Sequence, residues 1–258
     1  MTYGKILYTA ANGIARITLN RPKKRNALDA GTIAEMMEAL RESAATEDVR
    51  VVTLTGAGKD FCSGADLAAL KAGFDNGPLE HVADARHLAA LFLSMRNHPR
   101  PIVALVRGRA LAGGCGLATA CDIVLAEDSA QFGYPEVNIG FIPAMVMAIL
   151  RRSVSEKRAL ELIVTGETLT AAAALEAGLV NRVFPAAGFE SSVENYLANL
   201  AAKSASAVSL SKHLLYNMDS ISFEAALEAG VQANALARMT ADYRSGVERF
   251  LRKATKAE

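Results

Sequence analysis

The stretch from Pro101 to Pro143, PIVALVRGRALAGGCGLATACDIVLAEDSAQFGYPEVNIGFIP, constrains the chain more than any other. Its first apolar run, Ile102 to Val106, is bounded by Pro101 and Gly108 and reads as a buried strand. A turn is expected through Gly108, Arg109 and Ala110. Gly113-Gly114-Cys115-Gly116 then leads into a short apolar helix, Leu117 to Cys121. Glycines at a helix start leave backbone N–H groups free and let a ligand approach the main chain. The helix dipole favours negative charge at that spot. A second buried strand is expected over Ile123 to Ala126, after which Gly133-Tyr134-Pro135 breaks the chain and presents Glu136. One stretch thus offers an anion-stabilising backbone site and a candidate base.

The flanking sequence extends this alternation. Ile6–Ala10 and Ile14–Leu19 flank Asn12-Gly13, a strong hairpin signal. Asp29 can cap a helix that carries Ile33, Met36, Met37 and Leu40 on one face. Val49–Thr55 reads as a strand, and Phe61-Cys62-Ser63-Gly64-Ala65-Asp66-Leu67 as a turn into another helix, where a second backbone nest is expected. Gly73–Pro78 is the loosest stretch, followed by a helix over Leu79–Asn97 with Val82, Leu88, Leu91 and Met95 in a stripe. Strands alternating with helices argue for an α/β core with covered sheets.

Beyond Pro143, which suits a first helical position, helices are expected over Ala144–Arg152, Glu156–Val164 and Ala171–Ala177, then a strand over Leu179–Phe184. From Gly188 onward the chain reads helical, broken near Ser204 and Asp219-Ser220. This alanine-rich, apolar tail cannot all hide in a monomer, which predicts packing between subunits. The division falls into a core over 1–195 and a helical region over 196–258.

At 258 residues and 51% apolar, the chain has enough material for a large core. Its net charge of +1 carries no basic or acidic block, so no nucleic-acid partner is expected. There is no charged-then-apolar leader and no uninterrupted apolar run of about 18 residues, which disfavours secretion and membrane spanning. Cys62, Cys115 and Cys121 cannot all pair and lack CxxC spacing, which suits a reducing, cytoplasmic setting. His81, His87, His98 and His213 have no metal-ligand spacing, so no metal is expected.

RPKKRNALD, FCSGADL, ALAGGCGLATACDIVLA and AQFGYPEVNIGFIP together resemble the enoyl-CoA hydratase/isomerase (crotonase) superfamily, from about Ile14 to the C-terminal helices. The resemblance implies an α/β, crotonase-like (ClpP/crotonase) spiral of ββα units, followed by a C-terminal α-helical trimerisation region. A homotrimer or dimer of trimers is the implied assembly. The implied ligand is an acyl-CoA thioester, with no separate cofactor because coenzyme A is part of the substrate. Fatty acid metabolism, including beta-oxidation, is the implied setting. By position in SGAD and GGC, the thioester oxygen would lie between the N–H groups of Ala65 and Gly113. Ala65, Asp66, Leu67 and Ala68 would line the thioester and the CoA arm, together with Gly113 and Gly116. Phe250 and Lys253, in a tail resembling the family's F-x-x-K ending, are implied contacts to CoA from this or a neighbouring subunit.

Family hydratases commonly carry two glutamates. Glu136 matches the second, and the position of the first is Gly116, which cannot transfer a proton. The family's GAGG after the IP motif is replaced by Ala144-Met145-Val146-Met147. Hydration of a 2-enoyl-CoA, with branched and glutaconyl-type esters among the candidates, is the leading expectation. In it Glu136 holds the water, and Gly116 leaves room for a second water or a branched acyl chain. A Δ3,Δ2-enoyl-CoA isomerase with Glu136 as sole proton shuttle is the alternative. An acyl-CoA-binding protein without catalysis is a more remote one. Alone, Glu136 would read as a solvated loop carboxylate and Asp66 as a helix cap. A dinucleotide fingerprint fails because Thr119 stands where its third glycine belongs.

Overall fold

The computed structural model describes residues 2–254, without the side chains of 253 and 254. β1 (Ile6–Ala11) and β2 (Ile14–Leu19) form the expected hairpin, with Asn12 and Gly13 both at positive φ in its turn. α1 (Ala30–Ala45) starts at Asp29, whose carboxylate accepts from the Thr32 N–H. β3 (Val51–Gly56), α2 (Leu67–Ala72), α3 (Pro78–Arg96) and β4 (Ile102–Val106) follow. Of the stripe expected on α3, Leu91 and Met95 are buried, but Val82 is 44% exposed.

The segment read as a turn after Gly108 is instead a strand, β5 (Arg109–Leu111). The helix expected from Leu117 begins one turn earlier, as α4 (Gly113–Thr119). β6 (Ile123–Glu127) and β7 (Gln131–Gly133) lead into a 3-10 turn over Pro135–Ile139 that carries Glu136. α5 (Ala144–Ser153) has Pro143 as its N-cap rather than inside its first turn. α6 (Glu156–Thr165), β8 (Thr168–Thr170), α7 (Ala171–Ala177) and β9 (Arg182–Phe184) complete the layered part.

The main sheet has the order β1-β2-β3-β4-β6-β9, parallel except for the first hairpin. Its central strands are covered on both faces, which explains their uninterrupted apolar runs. Val52 and Leu54 of β3 enter the larger core, while Val51 faces a second cluster with Val103 and Leu125. α8 (Phe189–Ala201) closes that second face with Phe189, Val193 and Leu197. The boundary expected at 195–196 therefore falls inside a continuous helix. The small sheet, β5-β7-β8, lies apart from the main one. Its strands have three residues each, too short for a period-two signal.

α9 (Ala205–Asn217), α10 (Phe223–Met239) and α11 (Ala241–Ala254) form the tail. α9 docks through a buried ion pair: Lys212 Nζ lies 2.8 Å from Asp122 Oδ2 and also donates to the carbonyls of Met95 and Arg100. Tyr216 donates to the other Asp122 oxygen. α10 contributes no buried residue and exposes Phe223, Leu227 and Val231 at four-residue spacing along one face. No helix among the described residues is long and apolar enough to cross a membrane.

Candidate active site

Two backbone segments meet in front of α4. Cys62 pairs with β5 through Cys62 N–H to the Arg109 carbonyl and Leu111 N–H to the Cys62 carbonyl. On its other side the same segment pairs with Leu28. Leu28 N–H donates to the Gly64 carbonyl at 2.7 Å, and Asp66 N–H to the Leu28 carbonyl at 2.8 Å. In such parallel pairing the intervening residue, Ala65, turns its N–H away from Leu28. Gly64 makes this possible at φ +91°.

Gly113 is the first residue of α4, so its N–H has no acceptor within the helix. Ala112 before it has φ 53°, a strained value for a residue with a Cβ, held by Ala112 N–H to the Gly133 carbonyl at 2.8 Å. A Cβ built on Gly113 would lie 3.9 Å from the Ala65 nitrogen, so the two main-chain segments adjoin. No hydrogen bond from the Ala65 or Gly113 N–H occurs among the described residues. Gly114 must be glycine, because a Cβ there would sit 2.2 Å from the Cys62 carbonyl oxygen.

Glu136 is the second residue of the 3-10 turn over Pro135–Ile139. Its backbone carbonyl accepts from Phe141 N–H at 3.0 Å, which anchors the 3-10 turn. Its side chain is buried, and Oε2 has no hydrogen-bond partner. Burial lifts its carboxyl above the ordinary value of 4.5. Behind the turn, the fully buried Tyr134 hydroxyl lies 3.0 Å from the Thr119 hydroxyl of α4. If Glu136 acts as a base, kcat/KM falls as pH drops through this raised pKa. The acid limb of a pH–rate profile then lies above 4.5.

The remaining expected residues separate into groups. Asp66 caps α2 by accepting from Ala68 N–H, and its carboxylate is tied to Arg21 at 2.7 Å and Lys24 at 3.0 Å. These partners hold its pKa far below the usual carboxylate range. Leu67 and Ala68 are exposed on the first turn of α2. Phe250 is 74% exposed on α11, which packs on α9 and α10; the side chain of Lys253 lies outside the described residues. Arg107 and Arg109 are engaged with Glu190 and Asp60.

Gly116 brings a correction. The expected room for a second water or a branched chain is filled, because a Cβ on Gly116 would lie 2.0 Å from Val146 Cγ1. The AMVM replacement marked this wall as altered, but which residue of α5 faces Gly116 depends on helix rotation. Arg21 was hidden too, since a loop arginine gives no sequence sign of its partners.

The three thiols are buried and unpaired. Burial pushes the Cys62 thiol up to about 12 and Cys115 to about 11, and raises Cys121 as well. Iodoacetamide at pH 8 should therefore leave all three unlabelled in the native protein and label all three after denaturation. Rapid native labelling of Cys115 would contradict this placement. Among the described residues no cluster of three His, Cys, Asp or Glu could hold a metal ion.

The enoyl-CoA hydratase/isomerase family profile matches residues 9–257. A Thermus thermophilus protein, named as a candidate enoyl-CoA hydratase, is 38% identical over 240 residues, covering 93% of this chain and 95% of its own. The 2,3-dehydroadipyl-CoA hydratase of Escherichia coli K12 is 32% identical over 256 residues, 97% of each chain. The crystal structure of an enoyl-CoA hydratase from Mycobacterium smegmatis aligns with TM-score 0.92 and 31% identity, covering 97% of both chains. The mixed α/β fold, its C-terminal helices and a match over nearly the whole length agree, and the chain belongs to the enoyl-CoA hydratase/isomerase family.

Proposed function

We propose that the protein adds water to a 2-enoyl-CoA thioester, with Glu136 as its sole carboxylate acid/base. The observation that carries this reading is the buried, partnerless Oε2 of Glu136, in a chain whose adjoining Ala65 and Gly113 N–H groups have no acceptor among the described residues. Relatives named as hydratases support it.

In this mechanism the thioester oxygen accepts from the Ala65 and Gly113 N–H groups. Water attacks C3 while its proton passes to Glu136, and the C2–C3 π electrons move toward the thioester oxygen. Glu136 then returns a proton to C2, which restores both the carbonyl and the carboxylate. Each backbone donor is worth roughly 3–4 kcal/mol to the oxyanion. Burial raises the Glu136 carboxyl, which makes its carboxylate a stronger base than an exposed one. Coenzyme A arrives as part of the substrate, so no separate cofactor is needed.

A second reading is favoured by Val146 against Gly116, which leaves no second proton-carrying group on that side. Glu136 would then move a proton from C2 to C4 of a 3-enoyl-CoA. Loss of absorbance from the conjugated 2-enoyl thioester on adding purified protein tests the first reading. No loss with any straight-chain 2-enoyl ester would overturn it.

The exposed apolar face of α10 and the exposed Phe250 support assembly as a homotrimer or dimer of trimers, with Phe250 and Lys253 meeting CoA across the interface. A cytoplasmic setting is consistent with three unpaired thiols.

A further inference from the structure

We infer that Val146 is a specificity-determining residue that admits a straight acyl chain at C3 and rejects a branched one. The inference rests on the acyl-CoA reading above. Gly113 and Gly116 are three apart in α4, so they share a helix face, and Gly116 lies roughly 4.5 Å further along the axis. An acyl chain whose thioester oxygen sits at Gly113 must run past this next turn or turn away from it. At that turn the space above the Gly116 Cα is already taken: a Cβ would meet Val146 Cγ1 at 2.0 Å and its Cβ at 2.7 Å.

Val146 is held firmly there. It is 3% exposed and is the first deeply buried residue of α5, with Leu150 one turn further on the same face at 0%. Its branched side chain has little rotamer freedom in a helix. α5 follows closely on the 3-10 turn that bears Glu136. Val146 thus closes the face of α4 that begins at Gly113, one turn further on. Gly116 lets the two helices interlock, and Val146 sets how much width is left beside the reacting carbons.

An extra methyl against such a wall changes discrimination by about 10–200-fold. The test uses saturated esters, which bind without reacting: butanoyl-CoA and 3-methylbutanoyl-CoA, titrated by calorimetry into the full-length protein. The native protein should bind the straight ester at least about tenfold more tightly. Val146→Ala should bring the two affinities to within about threefold, chiefly by improving the branched ester. Leu150→Ala, which opens the same helix face one turn away, should lower Tm and leave the ratio unchanged. Equal affinities in the native protein, an unmoved ratio in Val146→Ala, or the same change in Leu150→Ala would overturn the inference alone. If neither ester binds the native protein, the acyl-CoA reading falls with it.

Discussion

Glu136→Gln lowers kcat by about 10²–10⁴-fold while acyl-CoA affinity stays within a few-fold of the native value. The amide keeps the shape of the side chain and removes its proton-accepting oxygen. No second carboxylate can substitute, because Val146 covers Gly116 at the other expected position. The same substitution should raise Tm at neutral pH. A buried carboxylate whose Oε2 lacks a partner costs stability when ionised, and the neutral amide removes that charge. A variant that is more stable, still binds ligand and is nearly inactive would place Glu136 in the chemistry rather than in the fold. Retention of more than about a tenth of native turnover would contradict that role.

Lys212→Met has the largest expected effect on stability. Lys212 is buried and satisfied by Asp122 and two backbone carbonyls, so removing its ammonium leaves Asp122 with Tyr216 and the Ile102 N–H but without a countercharge. Breaking one partner of such a pair costs about 3–5 kcal/mol, which corresponds to a fall in Tm on the order of 10 °C for a chain of this size. Because α9 carries Lys212, the loss should appear as loosening of the whole tail from the core. Hydrogen exchange in α9 to α11 should accelerate ahead of exchange in the main sheet. Uniform protection in the variant would contradict the view that this pair anchors the tail.

Much of this architecture can be read from the sequence, and its gaps have physical causes. Buried parallel strands such as Ile102–Val106 announce themselves as apolar runs between turn residues. Asp29, Ser155, Thr170, Ser204 and Ser222 mark helix starts because each side chain accepts from an N–H of the first turn. The three-stranded sheet leaves no such mark. Arg109–Leu111 and Gln131–Gly133 are strands only because Cys62 and Thr168–Thr170 lie beside them.

The site divides in the same way. Gly64, Gly113 and Glu136 stand in motifs whose order is visible in the chain, and the structure brings Gly64 and Gly113 into contact. Asp66 shows how one residue answers two descriptions. It caps α2 as its type predicts, while its ion pairs with Arg21 and Lys24 arise from a loop more than 40 residues away. The Val146–Gly116 contact depends on the rotation of two helices about their axes, which tertiary packing sets.

The most direct test of the central claim is the mass of the products formed from a 2-enoyl-CoA and from its 3-enoyl isomer, each incubated separately with purified protein. The expected result is gain of one water by the 2-enoyl ester, abolished in Glu136→Gln. Conversion of the 3-enoyl ester to the 2-enoyl form at unchanged mass, with no hydration of the 2-enoyl ester, would contradict hydration and establish proton transfer between C2 and C4.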